Sequence, residues 1–522
     1  MNNKEAQHEA EAYADDDLAM DSQQSMRGTD ADARDMKVMG KTQELNRNFR
    51  FISILGFSCT AMSTWEITLS SSTFGLINGG LPGLVWGYFI VWCGYFTVFA
   101  SIAELASMMP TAGGQYHWVS ELSPKSCQKF LSYLVGWFSA LGWQTGYASI
   151  AFIAGTLIQG LIVLNDETYI FKRWHGTLLV IAITAFSILF NTFLAKRLPL
   201  VEGMVLILHI LGFFGVLIPL WVLAPRNSTE VVFTEFVNLG GWSSTGLSVM
   251  VGMLTTVYGM LGADSAVHMS EEIRDAGIVL PRATMWALFI NGACGFIMMI
   301  TYAFTLGDPV AALESPTGYP VISGFFYATR SHAGTSVMIA IIIINTTSSC
   351  ISTLATVSRQ TWSFARDRGL PFSDFIGHIK PGWNIPLNAV LLTLLFTTLL
   401  SLINIGSTVA FNAICSMATN ALLSTYIISL SCLILRRIRG PPLQPRRWSL
   451  GQFGLPINVA ALLFSTWIWV FCFFPQTTPV HAKSMNWNIV INAGIMIIAV
   501  FYYFVKGKYQ YVAPVVLVKR DV

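Results

Sequence analysis

Two carboxylates stand where the chain should not tolerate charge. Glu66 closes the interruption Thr60-Ala61-Met62-Ser63-Thr64-Trp65-Glu66, and Asp264 closes the interruption Tyr258-Gly259-Met260-Leu261-Gly262-Ala263-Asp264, each inside a long apolar stretch. A charge at such depth in a bilayer costs at least about 2.5 kcal/mol, so both side chains are expected to border a cavity or a partner instead of lipid. Unwound backbone at such breaks exposes amides and carbonyls, and the start of a half-helix offers partial positive charge to an anionic group. Thr60, Ser63, Trp65, Glu66, Tyr258, Gly259, Gly262 and Asp264 are therefore candidate substrate-binding residues. Trp65 and Tyr258 could wall an ammonium group through cation–π attraction. Plainer roles compete with these. Ser63 to Glu66 has the spacing of a capping box, Asp264 could cap the inner half of its helix, and the glycines and aromatics could serve packing alone.

A second set of residues could couple an ion to such a site. His209 lies in Leu206-Ile207-Leu208-His209-Ile210-Leu211 with no other charge within a turn, and an imidazole changes charge near neutral pH. Ser352 and Thr353 are vicinal hydroxyls that could ligate a hard cation such as sodium, or simply bond to their own helix. A hydrogen-bonded structural histidine is the alternative for His209. No HExxH or comparable catalytic cluster appears, so no covalent chemistry is expected, and no cofactor or metal is implied beyond an ion gradient.

The elements that must position these residues are membrane helices. Of 522 residues, 53% are hydrophobic and 11% charged, and the mean hydropathy is +0.57. Apolar runs of roughly 20 residues recur, each long enough to cross a bilayer. Soluble enzymes and nucleic-acid binders are excluded, and continuously apolar runs such as Val337 to Ile344 exclude an alternating β-barrel. The spacing predicts about twelve helices, near 49-76, 81-109, 129-164, 175-194, 199-223, 245-270, 282-306, 334-366, 386-404, 407-436, 455-475 and 486-506. The cysteines fit neither a disulfide framework nor a metal site. Residues 1-47 are polar and are expected to form a disordered cytoplasmic tail, with ten acidic residues up to Met36 against Lys4, Arg27 and Arg34. Residues 507-522 are expected to form a cytoplasmic C-terminal tail. With the N-terminus inside, the outer loops hold only Lys172, Arg173, Arg226, Arg330 and Lys483 of 31 cations, which satisfies the positive-inside rule. Asn227-Ser228-Thr229 is then an outer-loop glycosylation sequon. The paired interruptions in two five-helix halves point to an inverted-repeat transporter.

Three motifs carry a family resemblance. AELASMMPTAGGQYHW (103-118), SEEIRDAGIVLPRA (270-283) and SRQTWSFARDRGLP (358-371) follow helices 2, 6 and 8. With STWE at Ser63 to Glu66 and the acidic tail, the chain resembles the amino acid-polyamine-organocation (APC) superfamily, in its fungal branch of amino-acid, GABA and choline permeases. The resemblance covers about residues 45 to 510. It implies a leucine-transporter-type all-α membrane fold, with a five-plus-five inverted repeat (about 49-223 and 245-436) and two further helices (about 455-506). It also implies that His209 occupies the place where some proton-coupled relatives carry a lysine. Pro110, Gly113 and Gly114 would shape a sharp cytoplasmic turn, and Glu271, Glu272, Arg359, Arg366 and Asp367 could close a cytoplasmic gate by ion pairing. The chain departs from the superfamily in helix 1, where TAMSTWE replaces a glycine-rich break. If Glu66 occupied the amides there, a cation such as choline would be favoured over a carboxylate. The expected function is a plasma-membrane permease importing an amino acid or GABA with protons, with choline or another organic cation as the alternative substrate. A non-transporting nutrient sensor is the rival class, and the acidic tail could receive trafficking or ubiquitin-ligase adaptors.

Overall fold

The computed structural model describes residues 28–194, 197–379, 385–407, 409–482 and 484–518. Among them, ten helices are long and apolar enough to cross a membrane. Two further crossings are discontinuous: α1a (Phe51–Met62) with α1b (Thr64–Ser70), and α6a (Thr245–Gly252 continuing as Leu254–Gly259) with the 3-10 segment α6b (Ser265–Glu272). The continuous spans are α2 (Gly80–Met108), α3 (Gln128–Asn165), α4 (Arg173–Phe193), α5 (Leu198–Leu223), α7 (Ala276–Thr305), α8 (His332–Arg366), α9 (Leu387–Gly406), α10 (Ala410–Arg439), α11 (Gly454–Phe471) and α12 (Asn488–Tyr502).

The packing respects the two five-helix halves. α2 lies on α7, α3 on α8, and α4 on α9, while α1b meets α6a and α1a meets α6b. Helices α11 and α12 pack outside, on α2 and α10 and on α10 and α3 respectively. Large apolar side chains such as Leu189, Leu211, Leu399 and Ile497 are exposed on the outer helices, where a hydrocarbon surround is their natural solvent.

Both breaks have local causes. Ser63 adopts a left-handed conformation (φ 37°) and its hydroxyl donates to the Thr60 carbonyl at 2.7 Å, ending α1a. In α6 the turn passes through Gly262 at φ +93°, which an L side chain rarely adopts. Gly259 answers a different need: a Cβ there would stand 2.3 Å from Thr68 Oγ1, so it lets α6a lie against α1b.

The N-terminal segment corrects the expected disorder through residue 47. From Gly28 on it is structured, with a helix at Asp30–Val38. Asp32 accepts from the backbone amides of Asp275 (2.8 Å) and Ala276 (3.0 Å), capping α7, and Arg47 donates to the carbonyls of Ser270 and Ile273. The earlier part of the tail, residues 1-27, lies outside the described residues, as do Lys483 and the last four residues. The C-terminal tail also folds back: Tyr511 is buried and bonds Ser132, and Val512 N–H donates to the Asp367 carbonyl. On the opposite face, the Asn227 side-chain amide donates to the Ala303 and Gly307 carbonyls, so the sequon nitrogen is engaged in the fold.

Candidate functional site

The two breaks meet at a central cavity of about 30 Å3, lined among others by Ala61, Ile67, Trp143, Tyr258, Gly262 and Thr353. Of these, Tyr258 and Gly262 were expected from sequence as substrate-binding residues and Thr353 as an ion ligand. Trp143, on α3, was not. Tyr258 donates to Ser149 Oγ at 2.7 Å, and the Thr353 hydroxyl has no hydrogen-bond partner among the described residues. Above the cavity, Phe411 stacks between Phe74 and Phe152, with centroids at 5.7 and 5.4 Å, and Tyr258 meets it edge-on. Beyond this aromatic layer a vestibule of about 510 Å3 opens on the face opposite the N-terminal segment.

Glu66 and Asp264 are both fully buried, and neither caps a helix with its side chain. Both capping expectations are therefore corrected. Glu66 is turned toward α5 and α8: its Oε1 lies 2.7 Å from His209 Nδ1 and accepts from Asn345 Nδ2 at 2.8 Å. His209, expected to stand without a nearby charge, thus faces a carboxylate, and the expected isolation of His209 held only along its own helix. Asp264 accepts from Gln115 Nε2 (2.6 Å) and from the Tyr426 hydroxyl (2.8 Å), which ties the α6 break to the short helix Gln115–Leu122 and to α10. Thr60 and Ser63 sit fully buried at the α1 break; Trp65 packs against His209 and Phe213 instead of flanking the cavity. Ser352 donates to Glu202 Oε1 at 2.7 Å, while its neighbour Thr353 faces the cavity, so the two hydroxyls do not converge.

Below the cavity, on the face that carries the N-terminal segment, the five charged residues expected at a gate come together. Arg366 grips Glu271 with two bonds, at 2.8 and 3.1 Å, and stacks 4.3 Å over the Trp362 ring. Arg359 Nε donates to Glu272 at 2.8 Å. Asp367 accepts from Tyr116 at 2.9 Å and pairs with Lys41 of the N-terminal segment. Trp143 N–H donates to His268 Nε2 at 2.9 Å; since an indole can only donate, His268 carries its proton on Nδ1, which faces the Ala112 carbonyl at 2.8 Å. The cavity wall is so joined directly to the 110-114 turn.

Sequence reasoning missed Trp143, Asn345, Gln115, Tyr426 and Glu202. Glu202 carried a visible signal, a carboxylate within the apolar run of α5; the amides and rings carried none, because their partners lie far away in sequence.

Two broken helices crossing at a central cavity inside a twelve-helix bundle define a broken-helix membrane carrier. The chain belongs to the amino acid permease family, whose model matches residues 49–501. It is 31% identical over 440 residues to a Macrophomina phaseolina protein provisionally named an amino acid/polyamine transporter, covering 83% of this chain and 96% of that one. It is 30% identical over 473 residues to the choline transporter of Saccharomyces cerevisiae, covering 90% and 83% of the two chains. The fold is also that of the manganese transporter of Eremococcus coleocola, with a TM-score of 0.51 at 13% identity over 90% of this chain and 95% of that one.

Proposed function

We propose that this permease is a secondary active carrier importing a small amine-bearing solute, an amino acid or GABA, together with protons by alternating access. The observation that carries the reading is the asymmetry around the cavity. Toward the N-terminal face it lies behind the Glu271–Arg366 and Glu272–Arg359 pairs, whereas an aromatic layer alone separates it from the opposite vestibule. The cation distribution supports a cytoplasmic N-terminal face. At about 30 Å3 the cavity has room for about a water or two, so solute entry requires the aromatic layer to part.

The chemistry of the walls favours a solute of zero net charge. No carboxylate, amine, guanidinium or imidazole is among the lining residues, and the polar contacts on offer are the hydroxyls of Thr353 and Tyr258 and the backbone of the two breaks. Glu66 Oε1 is held by His209 and Asn345 and Glu66 is not among the cavity-lining residues, which weakens the objection that it would repel a substrate carboxylate. Proton coupling is supported by the same contact: the Glu66–His209 pair can take up and release a proton while changing what holds α1b to α5 and α8.

Choline is the second reading, supported by the yeast relative and by Trp143 and Tyr258, whose rings could receive a quaternary ammonium. A competition panel in reconstituted vesicles separates them. Unlabelled amino acids or GABA should displace the transported label and choline should not; displacement by choline alone would reverse the assignment.

A further inference from the structure

A seam of buried polar groups runs from the α1 break toward the N-terminal face, between α1, α5 and α8. It begins at Glu66, His209 and Asn345, continues through Ser349, whose hydroxyl donates to the Ala61 carbonyl at 3.0 Å, and ends at Ser352, Glu202 and Thr60. Glu202 and His209 sit two turns apart on α5, and both are about 1% exposed. Glu202 forms no ion pair among the described residues; the hydroxyls of Ser352 and Thr60 are its hydrogen-bond neighbours.

The orphaned atoms make the seam more than packing. Among the described residues, Glu66 Oε2, His209 Nε2 and Asn345 Oδ1 are buried without a partner, and Thr60 Oγ1 and Glu202 Oε2 have at most each other. Each such group in a low-dielectric interior costs on the order of 1–3 kcal/mol, so a cluster along one seam calls for protons or water to satisfy it. Chains of Asp, Glu and His inside membrane helices are the material of proton relays.

We infer that Glu202 is a relay residue for the coupling proton, receiving it from the Glu66–His209 pair through the polar seam and releasing it toward the N-terminal face. The inference rests on the proton-coupled reading above. The step balances simply: the pair gives up one proton, a water in the seam passes one on, and the Glu202 carboxylate takes it and becomes neutral before losing it to the solvent of that face. Other titratable or charged groups on the elements packed here include Cys59 on α1, Cys294 on α7 near Glu66, Cys350 on α8, and Arg359 and Arg366 toward the end of α8, which are engaged by Glu272 and Glu271.

The test uses full-length protein in proteoliposomes, with radiolabelled GABA, alanine and choline as probes. Glu202→Gln keeps the shape and an acceptor for Ser352 but cannot carry a proton. Accumulation driven by a pH gradient should fall at least tenfold, while counterflow exchange, which needs no net proton movement, stays within about threefold. Glu202→Asp should restore accumulation partly, and a pH-sensitive dye should report proton entry with substrate in wild type and Glu202→Asp only. Wild-type accumulation and proton entry in Glu202→Gln would overturn the inference and leave the proton-coupled reading standing. Absence of proton entry in wild type would overturn both. If Glu202→Gln does not assemble, proton entry at the wild-type rate per substrate turnover in Glu202→Ala would overturn the inference equally.

Discussion

Glu66 and His209 are 143 positions apart in sequence yet share a 2.7 Å contact, and this contact decides what each can do. A carboxylate held by an imidazole and an amide is not free to cap, and on the proton-coupled proposal it is half of the coupling pair. Glu66→Gln should therefore leave solute affinity within about threefold and abolish concentrative uptake; binding by scintillation proximity and uptake measured on one preparation check this split. A tenfold or greater loss of affinity would instead mean that Glu66 touches the solute. His209→Ala should likewise retain part of the exchange while losing accumulation, whereas a packing histidine would mainly lower yield. Asp264 behaves differently. It accepts hydrogen bonds from Gln115 and Tyr426, so Asp264→Ala strands both donors and should destabilise the protein by about 1–3 kcal/mol, read as a fall in the detergent melting temperature.

At the scale of elements, the breaks are set by backbone conformation at one residue each. Gly262→Ala places a Cβ at φ +93°, a cost of about 1–2 kcal/mol, without filling the cavity, since the nearest atom to that Cβ is the Ala61 carbonyl oxygen at 3.9 Å. Uptake should slow and the melting temperature drop by a few degrees. The positions of both breaks were legible in the sequence because polar residues interrupt long apolar runs, and the gate charges because three motifs hold them in order. The partners of the carboxylates were not legible. Apolar periodicity reports which face of a helix is buried, but not which of several buried polar groups on α3, α5, α8 and α10 will meet. Asn345 and Tyr426 look like ordinary helix residues until packing sets them against Glu66 and Asp264.

At the scale of the whole molecule, one face is covered by the segment Gly28 to Arg47 and by the stretch around Tyr511. The segment from Gly28 to Arg47 ties α6b, α7 and the end of α8 together, and it has a pH dependence of definite sign. Burial pushes the Asp35 carboxyl up to about 6, and burial raises Glu44 too. The docked segment thus prefers the protonated acids, and docking loses stability as pH rises from about 4 to about 6. Asp32 has the opposite sign, held low by Arg47 and by backbone amides against the raising effect of burial, and its contribution is lost only as pH falls below the ordinary aspartate range. A spin label at Lys37→Cys should be more immobile at pH 5 than at pH 7, and Asp35→Asn should flatten most of that change.

The central claim is that solute movement is coupled to protons across this bundle. The most direct measurement is uptake of labelled solute into sodium-free proteoliposomes under an imposed pH gradient, acidic on the vestibule side. Accumulation above equilibrium that collapses on adding a protonophore is the predicted result. Uptake that only equilibrates, or that accumulates only when a sodium gradient is supplied, would contradict the account.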